Sequence, residues 1–341
     1  RASATLLALL VGALALGAGT TARAWGPGGH QSVGAIADGL LAGTPTGARV
    51  RQLLGGSLAA ASVWADCARS VRLDKGVARY QVVDSQGHTH PECAEFEKGN
   101  NTRPLIDFVT RNATRCGVPF SGSASCTHEA YHFANLSIAR DAYDAAAPGA
   151  STVDLVHAVQ AAVTVLQGGQ ASSPINIRDK REALRLLAHW VGDLHQPLHV
   201  GVVYLDAAGQ RVEPASPADL KVHGNGGGNG LLFEGGNLHH VWDSLTGAQL
   251  AKLKGPAALA AARAVPASPG QVNAWPEAWA GDTLQRARQA FDGLRFGPQQ
   301  AKAWPATADE PAYRQAREAL QREQVIKAGA HLAELLKATV P

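Results

Sequence analysis

The run HWVGDLHQPLHVG, from His189 to Gly201, sets three histidines and an aspartate among mostly apolar residues. A buried imidazole or carboxylate costs several kcal/mol unless it is paired or bound to a metal. Such a run is therefore a core network or a metal site. His189 and Asp193 stand four residues apart, so on a helix they share a face and can grip one ion. Pro197 cannot continue that helix and biases Gln196 toward an extended conformation. His199 then emerges beyond a bend and need not serve the same ion. His195, two residues from Asp193, falls on another face and reads as a neighbour rather than a ligand.

A second cluster, GGNLHHVWDS, repeats the spacing with His239 and Asp243. His240 lacks a carboxylate partner at that spacing. Two H-x-x-x-D pairs in apolar surroundings fit solvated helix faces poorly. A third cluster is WGPGGH, with Trp25 followed five residues later by His30. It follows a short apolar run ending in Ala22-Arg23-Ala24, an A-x-A cleavage pattern. Residues 1–24 therefore read as a signal peptide, which implies a secreted or periplasmic protein without stable membrane association after cleavage. Cleavage would leave Trp25 with a free α-amine, whose reference pKa of about 7.7–8.0 lets a metal displace its proton. Amine and carbonyl of one residue form a five-membered chelate ring. On spacing alone, though, Trp25 and His30 read as a buried aromatic and a loop histidine. Asp66 in VWADCAR and His132 in YHFAN read singly as ordinary residues.

The elements that must carry these groups are mostly helical. Apolar residues recur with helical period over His30–Ala42, Leu58–Arg69, Val153–Gln167, Arg178–Leu194, Ala274–Leu294 and Ala312–Ala338. Strand signals are sparse, and long loops span Asp84–Thr102 and Tyr204–Gly236, the latter with HGNGGGNG. With no repeat and no compositional break, residues 25–341 read as a single all-α domain. Beyond residue 24 the chain holds 29 Lys and Arg against 28 Asp and Glu, a formal +1. That balance does not suggest a polyanion-binding surface built only from protein cations. Cys67, Cys93, Cys116 and Cys126 lack the C-x-x-C spacing of a zinc knuckle. In an exported chain they suggest two disulfides; of three possible connectivities, a local Cys116–Cys126 loop would leave Cys67 with Cys93.

Together, W-x-x-x-x-H, WADxxR, HFxN, HxxxDxHQPLH and NLHxxWD occur here in that order. This resembles the zinc-dependent single-strand nucleases known as nuclease S-one and nuclease P-one, and EQVIKAGAHLAELL is similar to the family's closing helix. The resemblance implies a mainly helical fold of the zinc phospholipase C type with three Zn²⁺ in a cleft. Asp66, His132, His189 and Asp193 would hold the first. His199, His239 and Asp243 would hold the second. The amine and carbonyl of Trp25, His30 and a second oxygen of Asp193 would hold the third. Three Zn²⁺ against three aspartates would leave a formal +3, so the ions and not lysines would attract the phosphodiester.

The resemblance also implies metal-assisted hydrolysis, with Asp66 as base for a water that attacks phosphorus in line and leaves 5′-phosphate products. Arg69 matches the family's arginine that stabilises charge on phosphorus. Phe133 would stack on a base and Asn135 would bond its edge, which favours single-stranded DNA and RNA. No protein partner is inferred. Two other functions fit parts of the pattern. A zinc phospholipase C shares the metal plan but carries glutamate where this chain has Asp243. A non-catalytic extracellular metal-binding protein would have a closed site with no exchangeable water, and would leave Arg69 only a salt bridge to Asp66.

Overall fold

The computed structural model describes residues 25–74, 77–83, 87–113 and 128–341. Residues 1–24, Cys116 and Cys126 lie outside the described residues. The helices, in chain order, are α1 Pro27–Leu41, α2 Pro45–Leu54, α3 Leu58–Ala61, α4 Trp64–Ala68, α5 Thr102–Arg111, α6 Leu155–Leu166 and α7 Lys180–Leu194. They continue with α8 Pro197–Val200, α9 Pro217–His223, α10 Leu238–Asp243, α11 Gly247–Lys252, α12 Gly255–Arg263, α13 Trp275–Ala290 and α14 Glu310–Thr339. The protein is mainly helical. No helix among the described residues is long and apolar enough to cross a membrane.

Helix α7 is the axis of the fold. Asp179 caps it by accepting from the Glu182 N–H at 2.9 Å, which satisfies one of the donors a helix start leaves free. It packs against α6 on one side and against α1, α3, α4 and α14 on others. From Leu186 to its end every side chain is buried. Trp25, Trp64 and Trp190 are fully buried in the large core around it. A smaller core gathers Leu198, Phe233, Trp242, Phe291 and Trp304 beneath α8, α10 and α13.

Strands are short. A parallel pair of Leu136–Ser137 with Gly201–Val202 ties the segment after His132 to the segment after His199. A four-stranded sheet joins Gly236–Asn237, Leu231–Phe233, Trp304–Thr307 and Arg295–Phe296 in that spatial order. It holds the chain that leads into α10.

Two expectations are corrected. Tyr204–Gly236 is not a loop throughout, since it carries α9 and the strand Leu231–Phe233. Leu58–Arg69 is not a continuous helix, because it breaks between α3 and α4 at Ser62 and Val63. The Ser62 hydroxyl donates back to the Ala59 carbonyl at 2.8 Å, competing with the regular ladder. The Ser62 carbonyl at the break accepts from His189 Nδ1 at 2.7 Å. The expected Cys67–Cys93 disulfide is present, binding α4 to the 3-10 turn Pro91–Phe96.

Candidate metal centre

The first cluster forms where α7 meets the 3-10 turn His128–His132. His132 Nδ1 lies 2.9 Å from Asp193 Oδ2 and 3.1 Å from His189 Nε2, and His189 Nε2 lies 3.2 Å from the same Asp193 oxygen. These are the edges of a small triangle of donor atoms. A tetrahedral zinc with bonds of about 2.0–2.1 Å has ligand–ligand edges of roughly 3.3 Å. From α4, Asp66 Oδ1 approaches His189 Nε2 at 3.8 Å. From α1, His30 Nε2 lies 3.3 Å from the other Asp193 oxygen, Oδ1, and the His30 ring stacks on His189 with centroids 3.7 Å apart. Asp193 thus offers its two oxygens in two directions. His30, Asp66 and His189 form one possible ion-holding group, and His132, His189 and Asp193 another.

Gly192 lets α1 come this close. A Cβ there would sit 2.9 Å from His30 Nδ1, and the Gly192 carbonyl accepts from the buried Trp25 indole at 2.9 Å. The W-x-x-x-x-H spacing therefore seats Trp25 against α7 and places His30 one helical turn further along.

The second cluster forms where α8 meets α10. His199 and His239 face each other with Nε2 atoms 3.0 Å apart, and Asp243 Oδ2 is 3.3 Å from His239 Nε2. Asn237 starts α10 by accepting from the His240 N–H at 2.8 Å, which sets His239 and Asp243 on its inner face. His199 Nδ1 donates to the His132 carbonyl, and His239 Nδ1 donates to the Gly227 carbonyl at 2.6 Å. Gly227 belongs to HGNGGGNG and has φ +65, a left-handed conformation that suits glycine. The loop supports His239 from behind; sequence reasoning gave it no such part.

Electrostatics separate the two clusters. In the first, burial works to raise Asp66, but the charges of His189 and Arg69 outweigh it and hold the carboxyl at about 2. Burial opposes a charge on His189, yet Asp193 and Asp66 raise it to about 8. Asp193 is held well below the carboxylate range, because His189 and the bond from His132 outweigh its burial. In the second, burial pushes His199 down to about 4 and, with His199 beside it, His239 down to about 3. Burial also pushes Asp243 well up, only partly offset by a hydrogen bond from Gln196. That cluster has been desolvated and holds no cation among its own side chains.

The donor inventory fits a metal. Both His30 ring nitrogens, Asp66 Oδ1, Asp193 Oδ1 and Asp243 Oδ2 are buried without hydrogen-bond partners, and such atoms are costly unless something binds them. Imidazole with carboxylate is a zinc-type donor set.

The remaining expected residues are near these groups. Arg69 follows Asp66 by three positions on the same short segment, with its guanidinium 3.7 Å from Asp66 Oδ1. Phe133 and Asn135 follow His132 and are half-buried. The Asn135 backbone is held from two sides, its N–H by the Gly149 carbonyl at 3.3 Å and its carbonyl by the Tyr204 hydroxyl at 2.6 Å. His195 turns away from the centre to meet His331, and His240 is exposed.

Comparison with known proteins places this site in context. The family model described as S1/P1 Nuclease matches residues 121–341. The match includes His132, His189, Asp193, His199, His239 and Asp243; Trp25, His30, Asp66 and Arg69 precede it. Endonuclease 4 of Arabidopsis thaliana is 37% identical over 68 residues, 19% of this chain and 16% of that protein. The aligned stretch is thus less than one fifth of that relative's length.

Proposed function

Because this chain belongs to the S1/P1 nuclease family, we propose that it is a zinc-dependent endonuclease. Its substrates are single-stranded DNA and RNA, with 3′-nucleotides as a further class, and its products carry 5′-phosphate. The observation that carries this reading is the set of buried donor atoms without hydrogen bonds on α1, α4, α7 and α10, gathered in His/Asp groups that could each hold an ion. His132, His189, Asp193 and Asp66 hold one zinc, and His199, His239 and Asp243 hold a second. His30 and Asp193 hold a third, together with Trp25. In this chain Ala24 precedes Trp25, so the amine ligand requires cleavage of that bond in a secreted or periplasmic protein.

Bound zinc supplies Lewis acidity and positive charge at the phosphodiester. Asp66, with the Arg69 guanidinium 3.7 Å from its Oδ1, accepts the proton of an attacking water. Arg69 offers its guanidinium fork to oxygens on phosphorus. Phe133 presents a stacking face and Asn135 a hydrogen-bonding edge to an unpaired base.

The test uses protein beginning at Trp25. Zinc per chain is counted, and single-stranded DNA, RNA and phosphatidylcholine are assayed with and without chelator. Three zincs and chelator-sensitive release of 5′-phosphorylated products are expected. Cleavage of the lipid alone would replace the nuclease reading with a phospholipase one. Zinc without any hydrolysis would leave a binding protein.

A further inference from the structure

Gln196 is fully buried and hydrogen-bonds into the second ion-holding group. It stands three residues after Asp193 and three before His199, and its backbone joins both: its N–H donates to the Asp193 carbonyl at 2.9 Å, and its carbonyl accepts from the His199 N–H at 3.0 Å. Pro197 holds it extended, with φ −83 and ψ 116, so it caps α8. The side-chain amide can be oriented in only one way. The Leu198 N–H must donate, so Oε1 accepts from it, at 2.5 Å. Nε2 is then the donor to Asp243 Oδ1, at 2.8 Å.

That bond divides the Asp243 carboxylate. Oδ1 is occupied by Gln196, whereas Oδ2 has no hydrogen bond and lies 3.3 Å from His239 Nε2. A carboxylate free to rotate could offer both oxygens, or turn toward Gln196 and away from the histidines. With Oδ1 fixed, only Oδ2 faces the group.

We propose that Gln196 is the positioning residue of the second metal site: it fixes Asp243 as a single-oxygen ligand in register with His199 and His239. This rests on the reading of His199, His239 and Asp243 as metal ligands. Groups that hold ligands in place are typically worth about 10–100-fold in metal affinity.

Two substitutions separate positioning from capping. Gln196→Glu keeps the acceptor for the Leu198 N–H and replaces the donor to Asp243. Gln196→Met removes both. Each variant, beginning at Trp25, is equilibrated in chelator-buffered zinc of graded free concentration, with circular dichroism to check folding. Wild-type protein should fill completely. Gln196→Glu should fold and release one zinc per chain at free zinc about 10–100-fold higher than wild type does. Cobalt substituted at that site should show an altered visible spectrum.

In wild-type protein the ¹⁵N side-chain amide of Gln196 should shift, and exchange more slowly with solvent, as zinc is added. This measurement decides the matter even if neither variant folds. Wild-type zinc affinity in a folded Gln196→Glu variant, or an amide signal indifferent to zinc, overturns the positioning role. A wild-type chain that binds no zinc overturns instead the metal reading beneath it.

Discussion

The Nε2 atoms of His199 and His239 stand 3.0 Å apart while both Nδ1 atoms donate to backbone carbonyls. In neutral rings so anchored, the facing nitrogens are both lone pairs and cannot hydrogen-bond each other. Burial holds both rings neutral at ordinary pH. A cation between them turns this repulsion into two bonds. Zinc should therefore stabilise the fold markedly: at about 1,000 times its Kd, one ion adds about 4 kcal/mol. His239→Ala should lose one zinc per chain and one such increment, read by thermal unfolding with and without chelator. An equal zinc-induced rise in Tm for variant and parent would remove His239 from the ligand set.

Arg69 should matter for rate and not for metal content. Arg69→Ala is expected to lower kcat by about 10²–10³, the usual cost of one charge-stabilising donor, with zinc per chain unchanged. Arg69→Lys should recover little, since the fork geometry is lost. Loss of zinc in Arg69→Ala would instead mark its 3.7 Å contact with Asp66 as a ligand-holding bridge.

Phe133 and Asn135 should govern which strands are cut. Phe133→Ala is expected to raise KM on single-stranded oligonucleotides by the equivalent of about 1–3 kcal/mol of stacking. Asn135→Asp should reorder preference among homopolymers. Its backbone bonds to Gly149 and Tyr204 keep the segment in place, so folding should be unaffected. Unchanged KM in Phe133→Ala would place the base elsewhere.

Acid stability should report the buried His195–His331 pair. His195 Nδ1 donates to the Val191 carbonyl at 2.7 Å, so its Nε2 accepts from His331 Nδ1, also at 2.7 Å. Burial lowers His195 to about 4; burial together with His195 and Lys327 lowers His331 to about 2. Both folded values lie below the ordinary 6.5, so below that pH the unfolded chain binds more protons. Stability from this pair is then complete above about pH 6.5 and falls as pH drops toward 4, by about 1 kcal/mol per pH unit per group. Urea unfolding in chelator should show a shallower acid slope for His331→Gln. Identical slopes would mean the pair is already protonated in the fold.

The Cys67–Cys93 disulfide closes a separation of 26 residues, worth about 3.5 kcal/mol by chain entropy. Because Cys67 adjoins Asp66, the Cys67→Ala, Cys93→Ala double variant should lose activity before it loses helix content on heating. Simultaneous loss by both readouts would show that the bridge serves global stability alone.

Legibility followed periodicity. His189 with Asp193 and His239 with Asp243 were visible because regular helices impose a four-residue spacing, and both pairs are found on helices, α7 and α10. Asp66 and His132 were visible only through family motifs, since a five-residue helix and a 3-10 turn have too short a period to signal. The break at Ser62 was hidden by alanine-rich flanks that favour helix on both sides. Helix α2 was missed although Thr44-Pro45 is a capping signal, as Thr44 accepting from the Gly47 N–H shows. Gln196 is legible in the sequence as the residue that Pro197 holds extended and as a polar exception in a mostly apolar run. That exception, before a proline that fixes its backbone, was the available sign of a buried polar partner.

Three of the buried imidazoles in the candidate ion-holding groups lean on carbonyls of Ser62, His132 and Gly227. No codon specifies a peptide carbonyl, so no single substitution can delete one. The orientation of the centre is thus written into the path of the chain. Ser62 can change only to residues that fit its fully buried place and keep the break. Gly227 cannot, because there the path itself depends on having no side chain. Inherited variation should accordingly spare the path and roam over much of what decorates it.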